Sequence, residues 1–142
     1  MKSNEEVIFR EFKKIDEEAV LRLFRQLMSH KDRFDAQVCL DQKNLHCLVI
    51  EINGSVIGFG CTAIDYSPTK HYYARLDEII VDESYRRRGL GKELMTRLIT
   101  IATNHGVRLI TLTSNPKRVA ARKLYESLNF KIYDTNVYEL KL

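Results

Sequence analysis

Apolar and polar positions along this chain follow two periods, which together predict a fold of strands and helices. Apolar residues that cluster or alternate are typical of strands, whereas apolar residues that recur every three or four positions indicate helices. The expected strands span residues 7–12, 46–52, 55–66, 72–82, 108–113 and 130–133, with a last short strand ending near residue 141. Helices are expected over 16–30, from 90 to about 102 and from 115 to 129, and residues 31–44 are expected to be polar or helical.

Turn signals between these segments predict how the strands connect. Asn53-Gly54 is a strong signal for a two-residue hairpin, because both residues accept positive φ angles. The sheet is therefore expected to be largely antiparallel before residue 82, with a parallel crossover from the 72–82 strand to the 108–113 strand. The predicted fold class is α/β, with a mixed and largely antiparallel central sheet flanked by helices.

Two segments are clearly amphipathic helices. The first has an apolar stripe, which indicates that it packs on the sheet and that its N-terminus is fixed. The stripe consists of Leu90, Leu94, Leu98 and Ile101, widened by Met95 and Ala102. In the second helix, Asn115-Pro116 is interpreted as an N-cap and a first helical residue, and Asn129 is suited to end the helix. Its predicted inner face holds Ala121, Leu124, Tyr125 and Leu128.

The segment Arg86-Arg87-Arg88-Gly89-Leu90-Gly91 carries the strongest functional signal. It joins an apolar strand, residues 76–81, to the N-terminus of the first amphipathic helix. Unpaired amides at a helix N-terminus, the helix dipole, and glycines that admit a phosphate close to the backbone together favour an anion site. Taken alone, the segment could equally be a basic turn exposed to solvent. Because the helix that follows packs on the sheet and its N-terminus is fixed, we favour a site that binds a pyrophosphate.

Composition narrows the class of protein. A chain of 142 residues is expected to form a single domain, 1–142. Its three cysteines have no C-x-x-C spacing and no histidine cluster near them, which argues against a disulfide framework and against a metal site. The sequence has no signal-type segment and no run of membrane-spanning length, so no membrane partner is expected, and a cytoplasmic location follows by default.

Charge is distributed unevenly along the chain. Residues 84–123 carry ten Lys and Arg against one acid, which gives this segment a net charge of +9, whereas the rest of the chain is −5. A basic field of this kind attracts polyanions. Nucleic acid is not the expected polyanion, because the segment has few exposed aromatic residues for base stacking and its basic residues flank two helix starts.

These residues resemble the GNAT superfamily of acetyltransferases. The motif that carries the resemblance is Arg86-x-x-Gly89-x-Gly91, with Val81 five residues upstream and Asn115, Ala121, Leu124, Tyr125 and Phe130 downstream. The match is closest over residues 76–130, and the flanking elements fit the order of the GNAT fold. The resemblance implies acetyl-CoA as the donor, an amine as the acceptor, and direct transfer within a ternary complex, with the acetyl-CoA cleft at the parallel crossover.

The resemblance also implies which residues bind the donor. The backbone of Ile79 and Val81 is expected to pair with the pantetheine arm. The pyrophosphate is expected to lie on the amides of residues 86–92 and on basic side chains there; this set is Arg86, Arg87, Arg88, Gly89, Leu90, Gly91 and Lys92. Asn115 is expected to cap its helix alone, or also to touch the pantetheine arm. Arg118, Arg122 and Lys123 are candidates for the ribose phosphate, or for a solvated helix face on which Arg122 pairs with Glu126.

Amine attack on a thioester needs a donor near the sulfur, a polarised carbonyl and a proton acceptor. By the resemblance, Tyr125 is the expected donor, with a packing role as the alternative, and a backbone amide near Val81 polarises the carbonyl. Asp77 and Glu78 are adjacent on a strand and are expected to point to opposite faces, so that only one lines the cleft. Asp77 ranks first as the base because strand parity places it with Ile79 and Val81. Glu78 is the second candidate for the base. Alternatively, both acids only balance the charge of the basic segment, or a chain of water molecules acts as the base.

The expected acceptor is the primary amine of a small amino compound. Arg75 stands where several family members carry a catalytic carboxylate, and its guanidinium suits a carboxylate, phosphate or phosphonate on the acceptor, or a pair with Asp77. Residues 30–35 are expected to form the acceptor wall together with Tyr66, His71, Tyr72 and Tyr73. The alternatives are a protein N-terminus or lysine as acceptor, and an acyl-CoA sensor without turnover. Residues 136–138 are expected to add an edge strand or a homodimer contact.

Overall fold

The computed structural model describes residues 4–27 and 33–142, and within them the chain forms five strands and four α-helices. The elements in chain order are β1 Val7–Glu11, α1 Glu17–Leu27, α2 Ala36–Asp41, β2 Leu45–Ile52, β3 Ser55–Ser67, β4 His71–Val81, α3 Leu90–Asn104, β5 Ile110–Thr111 and α4 Val119–Ser127. Short 3₁₀ turns precede α1 at Lys14–Asp16 and follow β4 at Glu83–Tyr85. The chain divides into two compact units, one up to Leu112 and one from Thr113 to Leu142.

The first unit contains one sheet, with its strands in the order β1-β2-β3-β4-β5. The first four strands pair antiparallel, and β4 pairs parallel with β5. Asn53 and Gly54 connect β2 to β3 with φ angles of 49° and 84°, as a tight hairpin turn requires. The predicted fold class is confirmed.

The sheet is covered on both faces because each face carries an apolar set. On one face, α1 and α2 cover a core in which the rings of Phe12, Phe24, Phe34 and Phe59 meet edge to face, with centroids 5.2 to 6.0 Å apart. On the other face, α3 buries Leu94, Met95 and Leu98 completely, as its predicted stripe requires. Edge-to-face contacts add to the stability that burial of these rings provides.

The second unit departs from the expected element boundaries. The helix begins at Val119, not at Asn115, because the Asn115 side chain accepts a hydrogen bond from the Lys117 amide at 2.9 Å and closes a turn before the helix. The predicted strand at 130–133 is wrong. Ile132 and Tyr133 are more than 80% exposed, and residues 130–142 make no strand ladder with any described residue. An extended segment becomes a strand only when its backbone groups find a neighbouring strand. The predicted end of α1 at residue 30 lies outside the described residues.

A buried carboxylate joins the first strand to the first helix. Asp16 is 4% exposed and receives two hydrogen bonds from the Arg10 guanidinium, each 2.8 Å long, and one from the Lys13 amide at 2.9 Å. Arg10 also donates to Glu51 of β2 at 2.7 Å. The hydrogen bonds from Arg10 hold the pKa of Asp16 below its usual value, against the opposing effect of burial. The carboxylate therefore stabilises the fold only while it is ionised.

The substitution Asp16→Asn tests this anchor. A depressed pKa contributes stability that is present above the unfolded value of about 3.9 and is lost as the pH falls toward the folded value. We therefore expect Asp16→Asn to lower the free energy of unfolding at pH 7 by about 1–3 kcal/mol. The difference from the wild type should shrink as the pH falls below about 4, as measured by urea unfolding. Asp41→Asn, which removes an exposed carboxylate near Gln37, is the control and should leave stability nearly unchanged. A difference that persists in acid would contradict the account.

Candidate functional site

The edge of β4 that faces β5 is open over half its length. The two-residue strand β5 pairs only with Ala74 and Arg75, so residues 76–81 have no described strand on that side. Unpaired backbone N–H and C=O groups on a strand edge are a template for another extended chain. This edge can therefore bind a ligand that carries amide groups along its length.

A β-bulge decides which residues present their backbone at the open edge. Phe59 of β3 lies opposite Ile80, and Cys61 lies opposite Asp77, so Glu78 and Ile79 together face the single residue Gly60. Before the bulge, the Ala74 amide donates toward β5, to the Leu109 carbonyl at 2.9 Å. After it, the Asp82 amide donates toward β3, to the Ile57 carbonyl at 2.7 Å. Strand alternation then directs the backbone of Ile79 and Val81 to the open edge.

The same bulge overturns the predicted strand parity. Asp77 pairs with Cys61, so it lies on the face of Phe59 and Ile80. Ile79 lies on the opposite face, where its Cδ1 is 2.8 Å from the position of a Cβ built on Gly60. The prediction that Asp77 shares a face with Ile79 and Val81 is therefore wrong, because one extra residue reverses the alternation. The φ angle of Glu78 is 54°, a left-handed conformation that costs a non-glycine residue about 1 kcal/mol.

A cavity of about 490 Å³ opens on the face of Asp77. Both Asp77 and Glu78 line it, so the prediction that only one of these acids lines a cleft is also wrong. The remaining lining residues are Phe24, Arg33, Phe34, Cys39, Leu45, Cys47, Phe59, Cys61 and Arg75. The volume suits a small organic molecule. Its wall is aromatic and thiol-rich, and its charged groups gather where β4 bulges.

Arg75 is already paired with carboxylates. Its Nη1 lies 2.8 Å from Asp65 Oδ2 on the neighbouring strand, and its Nε lies 3.6 Å from Asp77 Oδ2. The guanidinium was predicted either to bind an anionic group of the acceptor or to pair with Asp77, and the pair with Asp77 is present. The ion pair with Asp65, which was not predicted, is the shorter of the two. These contacts orient the Asp77 carboxylate at the cavity.

The predicted acceptor wall matches the cavity only in part. Arg33 and Phe34 line it, whereas residues 30–32 lie outside the described residues. Tyr66 and Tyr72 are exposed and in contact near the tip of the β3–β4 hairpin, and the Tyr73 ring lies under the Lys70 ammonium at 5.0 Å. None of these three tyrosines lines the cavity. Cys47, Cys61 and Phe59 were missed as lining residues because only the strand register shows which face they occupy.

The basic turn after β4 has an ordered conformation. Arg86 folds back, with its Nε donating to the Val81 carbonyl at 3.0 Å, and Arg88 pairs with Glu5 and covers the Tyr85 ring. Arg87 has a φ angle of 63°, and the structure gives its side chain no ion pair with any described residue. Gly89, with a φ angle of 77°, is the N-cap of α3 and supplies no capping side chain. The amides that begin α3 thus keep free donors, next to the open edge of β4.

The second unit holds the remaining predicted residues. Arg122 Nε lies 3.9 Å from Glu126 Oε1, which is the helix-face pair that was the alternative to phosphate binding. Tyr125 sits in a Schellman motif: the Phe130 amide donates to the Tyr125 carbonyl and the Asn129 amide to the Glu126 carbonyl, both at 3.0 Å. Asn129, with a φ angle of 67°, ends the helix as predicted. The Tyr125 and Phe130 rings meet edge to face, which fixes the tyrosine locally.

Comparison with known proteins identifies the family. A model of the acetyltransferase (GNAT) family matches residues 6–130. The chain belongs to the GNAT acetyltransferase family. A relative named thialysine N-epsilon-acetyltransferase, from Bos taurus, is 28% identical over 86% of this chain and 82% of its own length. This GNAT protein is accordingly an acyltransferase of the N-acetyltransferase class.

Two further proteins are similar to this GNAT protein. The [ribosomal protein bS18]-alanine N-acetyltransferase of Escherichia coli K12 is 36% identical over 55% of this chain and 49% of its own length. A solved structure of AAC(6′)-Iy in complex with the bisubstrate analogue CoA-S-monomethyl-acetylneamine matches with a TM-score of 0.83 and 25% identity, over 96% of this chain and 99% of that one. These relatives differ in acceptor.

No helix among the described residues of this GNAT protein is long and apolar enough to cross a membrane. No group of three or more His, Cys, Asp or Glu side chains in the same residues is arranged to hold a metal ion. The cytoplasmic location expected from the sequence stays a prediction.

The substitution Gly60→Ala tests the bulge. The new Cβ would lie 2.8 Å from Ile79 Cδ1 and 3.1 Å from Leu94 Cδ2 and Leu98 Cδ1, so Ile79 must shift. We expect the free energy of unfolding to fall by about 1–3 kcal/mol. We also expect the dissociation constant for CoA, measured by calorimetry, to rise because the open edge is displaced.

Gly58→Ala is the matched control for Gly60→Ala. Its Cβ would crowd Ile50 Cδ1 of β2 at 2.6 Å and would leave Ile79 of the bulge untouched, although Gly58 pairs with Val81 of β4. It should lower stability while raising the CoA dissociation constant less than Gly60→Ala does. Equal CoA affinities in the two folded variants would show that the bulge does not set the geometry of the open edge.

Proposed function

We propose that this GNAT protein transfers an acetyl group from acetyl-CoA to the primary amine of a small amino compound, and that residues 1–142 act as one acetyltransferase domain. The observation that carries the proposal is the open edge of β4, where the bulge turns the backbone of Ile79 and Val81 outward beside the uncapped N-terminus of α3. An extended ligand that begins with amide groups and ends with a pyrophosphate matches that order of donors. Acetyl-CoA is such a ligand.

Donor binding is divided between backbone and side chains. The backbone of Ile79 and Val81 pairs with the amides of the pantetheine arm, and the amides of residues 86–92 hold the pyrophosphate. Arg87 and Lys92 reach the phosphate oxygens, because Arg86 and Arg88 already contact Val81 and Glu5. Asn115 contacts the pantetheine arm and Arg122 contacts the ribose phosphate. Both assignments are supported only by the match to the family motif.

Transfer proceeds by direct attack of the neutral amine on the thioester in a ternary complex. Asp77 takes the proton of the amine, with Glu78 as the reserve, because both carboxylates line the cavity. Tyr125 donates to the departing sulfur; its support is the match to the family motif and the local order of its helix end. A backbone amide near Val81 polarises the thioester carbonyl.

The acceptor occupies the 490 Å³ cavity. Its ammonium group approaches Asp77 and Glu78, and its apolar part lies against Phe24, Phe34 and Phe59. The ion pairs of Arg75 with Asp65 and Asp77 favour a cationic over an anionic acceptor, since a guanidinium already neutralised attracts an anion weakly. Arg75 borders the acceptor on β4, whereas Tyr73, which was also predicted to do so, does not line the cavity.

A peptide N-terminus is a second candidate acceptor. It is favoured by the 36% identity to the [ribosomal protein bS18]-alanine N-acetyltransferase over 55% of this chain. A peptide would extend from the cavity over the surface, whereas a small amine would be enclosed.

Phosphate binding is tested with Arg87→Ala. Loss of a charged hydrogen-bond donor should raise the dissociation constant for CoA about 5- to 100-fold, as measured by calorimetry. Dephospho-CoA and CoA should lose affinity alike, because Arg87 is assigned to the pyrophosphate. Arg108→Ala removes the same charge from an exposed position after α3 and should change the affinity less than about twofold. Equal losses of CoA affinity in Arg87→Ala and Arg108→Ala would show that net charge, and not a contact of Arg87 with the pyrophosphate, causes the effect.

The reaction is tested by release of free CoA thiol from acetyl-CoA against a panel of amines. The panel contains diamines, basic and acidic amino acids, aminophosphonates and peptides with free N-termini. We expect acceptor-dependent thiol release that is greatest with small cationic amines. Tyr125→Phe should lower kcat roughly 10²- to 10⁴-fold with CoA affinity retained, because only the proton donor is removed. Tyr133→Phe, which alters an 83% exposed tyrosine of the same unit, is the control.

Each other outcome of this panel has a definite meaning. Preference for aminophosphonates or acidic amino acids would restore Arg75 as an anion-binding group, and preference for peptides would select the second acceptor. Tight CoA binding without thiol release for any amine would favour an acyl-CoA sensor. Failure to bind CoA would overturn the proposal.

A further inference from the structure

Two of the three cysteines form a directly opposed pair in the wall of the cavity. Cys47 of β2 lies opposite Cys61 of β3 in the strand register, and both line the 490 Å³ cavity with Cys39 of α2. The proposed transfer reaction uses none of these thiols. Their position next to Asp77 and Glu78 therefore needs a separate explanation.

The backbone hydrogen bonds show that the pair occupies a close position of the ladder. The Cys47 carbonyl accepts from the Phe12 amide of the β1 side at 3.0 Å, so its backbone faces away from β3. The Ile64 amide donates to the Asn44 carbonyl at 2.9 Å, which places the hydrogen-bonded pairs of β2 and β3 at the alternate positions. In a non-hydrogen-bonded antiparallel pair the Cα atoms are about 4.5 Å apart. That separation falls within the range of about 4.4 to 6.8 Å found for disulfides.

The two thiols have different environments. Cys61 is 5% exposed, and its Sγ lies 3.3 Å from the Asp77 carbonyl oxygen at the start of the bulge. Cys47 is half-buried. The neighbouring thiol lowers the pKa of Cys47 and raises the pKa of Cys61, and burial raises the pKa of Cys61 further. Cys47 is accordingly the nucleophilic thiol of the pair, since the thiolate is the reactive form.

We propose that Cys47 and Cys61 are a redox-active dithiol, a modification site in the cavity wall that low-molecular-weight disulfides convert to a cross-strand disulfide. The Cys47 thiolate attacks one sulfur of the small disulfide and expels a thiolate, which leaves a mixed disulfide on Cys47. Cys61 then loses its proton to that thiolate or to water and attacks Cys47 Sγ, which expels the second small thiol. The protein loses two electrons and two protons, and the small disulfide is reduced to two thiols.

Oxidation would also change the neighbouring acids. The disulfide removes the Cys61 proton that faces the Asp77 carbonyl and ties β2 to β3 beside the bulge. On the basis of the proposed function, this change slows transfer to the acceptor, and a reductant reverses it.

The test is alkylation of the 142-residue chain after exposure to glutathione disulfide. The reduced wild type should take up three equivalents of N-ethylmaleimide after denaturation, and the oxidised wild type one. Peptide mapping should find Cys47 linked to Cys61. Cys39→Ser should still form that link and lose both of its remaining thiols. Cys47→Ser and Cys61→Ser should form no internal disulfide. Of these two variants, Cys47→Ser is the one expected to fold more readily, because Cys47 is only half-buried and its serine hydroxyl can reach solvent.

These readouts are independent of acetyl transfer, so failure of the proposed function leaves them interpretable. If the enzyme is active, the acetyl-transfer rate of each oxidised variant is divided by the rate of the same variant when reduced. This ratio should be below one for the wild type and for Cys39→Ser. It should equal one for Cys47→Ser. Retention of all three thiols, a link between Cys39 and Cys47, or mixed glutathione adducts alone would overturn the proposal.

Discussion

One extra residue in β4 determines the geometry of the site. Where Glu78 and Ile79 face the single residue Gly60, the alternation of the strand reverses. Before this point β4 pairs with β5 only at Ala74 and Arg75, and after it the backbone of Ile79 and Val81 faces an edge that β5 does not cover. The same reversal brings Asp77 and Glu78 to one cavity. A regular strand would point these two side chains to opposite faces.

The bulge is held by packing and is not favourable in itself. Glu78 adopts a left-handed backbone conformation that is unfavourable for a non-glycine residue, and such strain persists only where the surrounding structure over-determines it. Here Ile79 fills the space above Gly60 and packs toward Leu94 and Leu98, which are completely buried. Burial of the stripe on α3 therefore stabilises both the sheet and the irregularity on which the site depends. It also fixes the helix N-terminus beside the open edge.

The sequence predicted most elements of the first unit because their signals are local. The stripe on α3 and the Asn53-Gly54 turn depend on residues close together in the chain, and both are found. The motif at residues 86–91 led to the correct family. The parity of Asp77 and Ile79 was wrong, because a bulge depends on the partner strand and on the space at Gly60. The cysteine pair was missed for a similar reason: strand register joins Cys47 to Cys61, and spacing in the sequence does not.

The most direct test of the account is amide hydrogen exchange of ¹⁵N-labelled protein, measured by NMR with and without saturating CoA. The open edge predicts that the amides of Ile79 and Val81 exchange faster than that of Ile80 in the free protein, since strand alternation directs the Ile80 amide to β3. CoA should slow exchange at Ile79 and Val81 and leave Ile80 nearly unchanged. If CoA binds with full stoichiometry while exchange at Ile79 and Val81 is unaffected, the backbone edge created by the bulge is not the donor site.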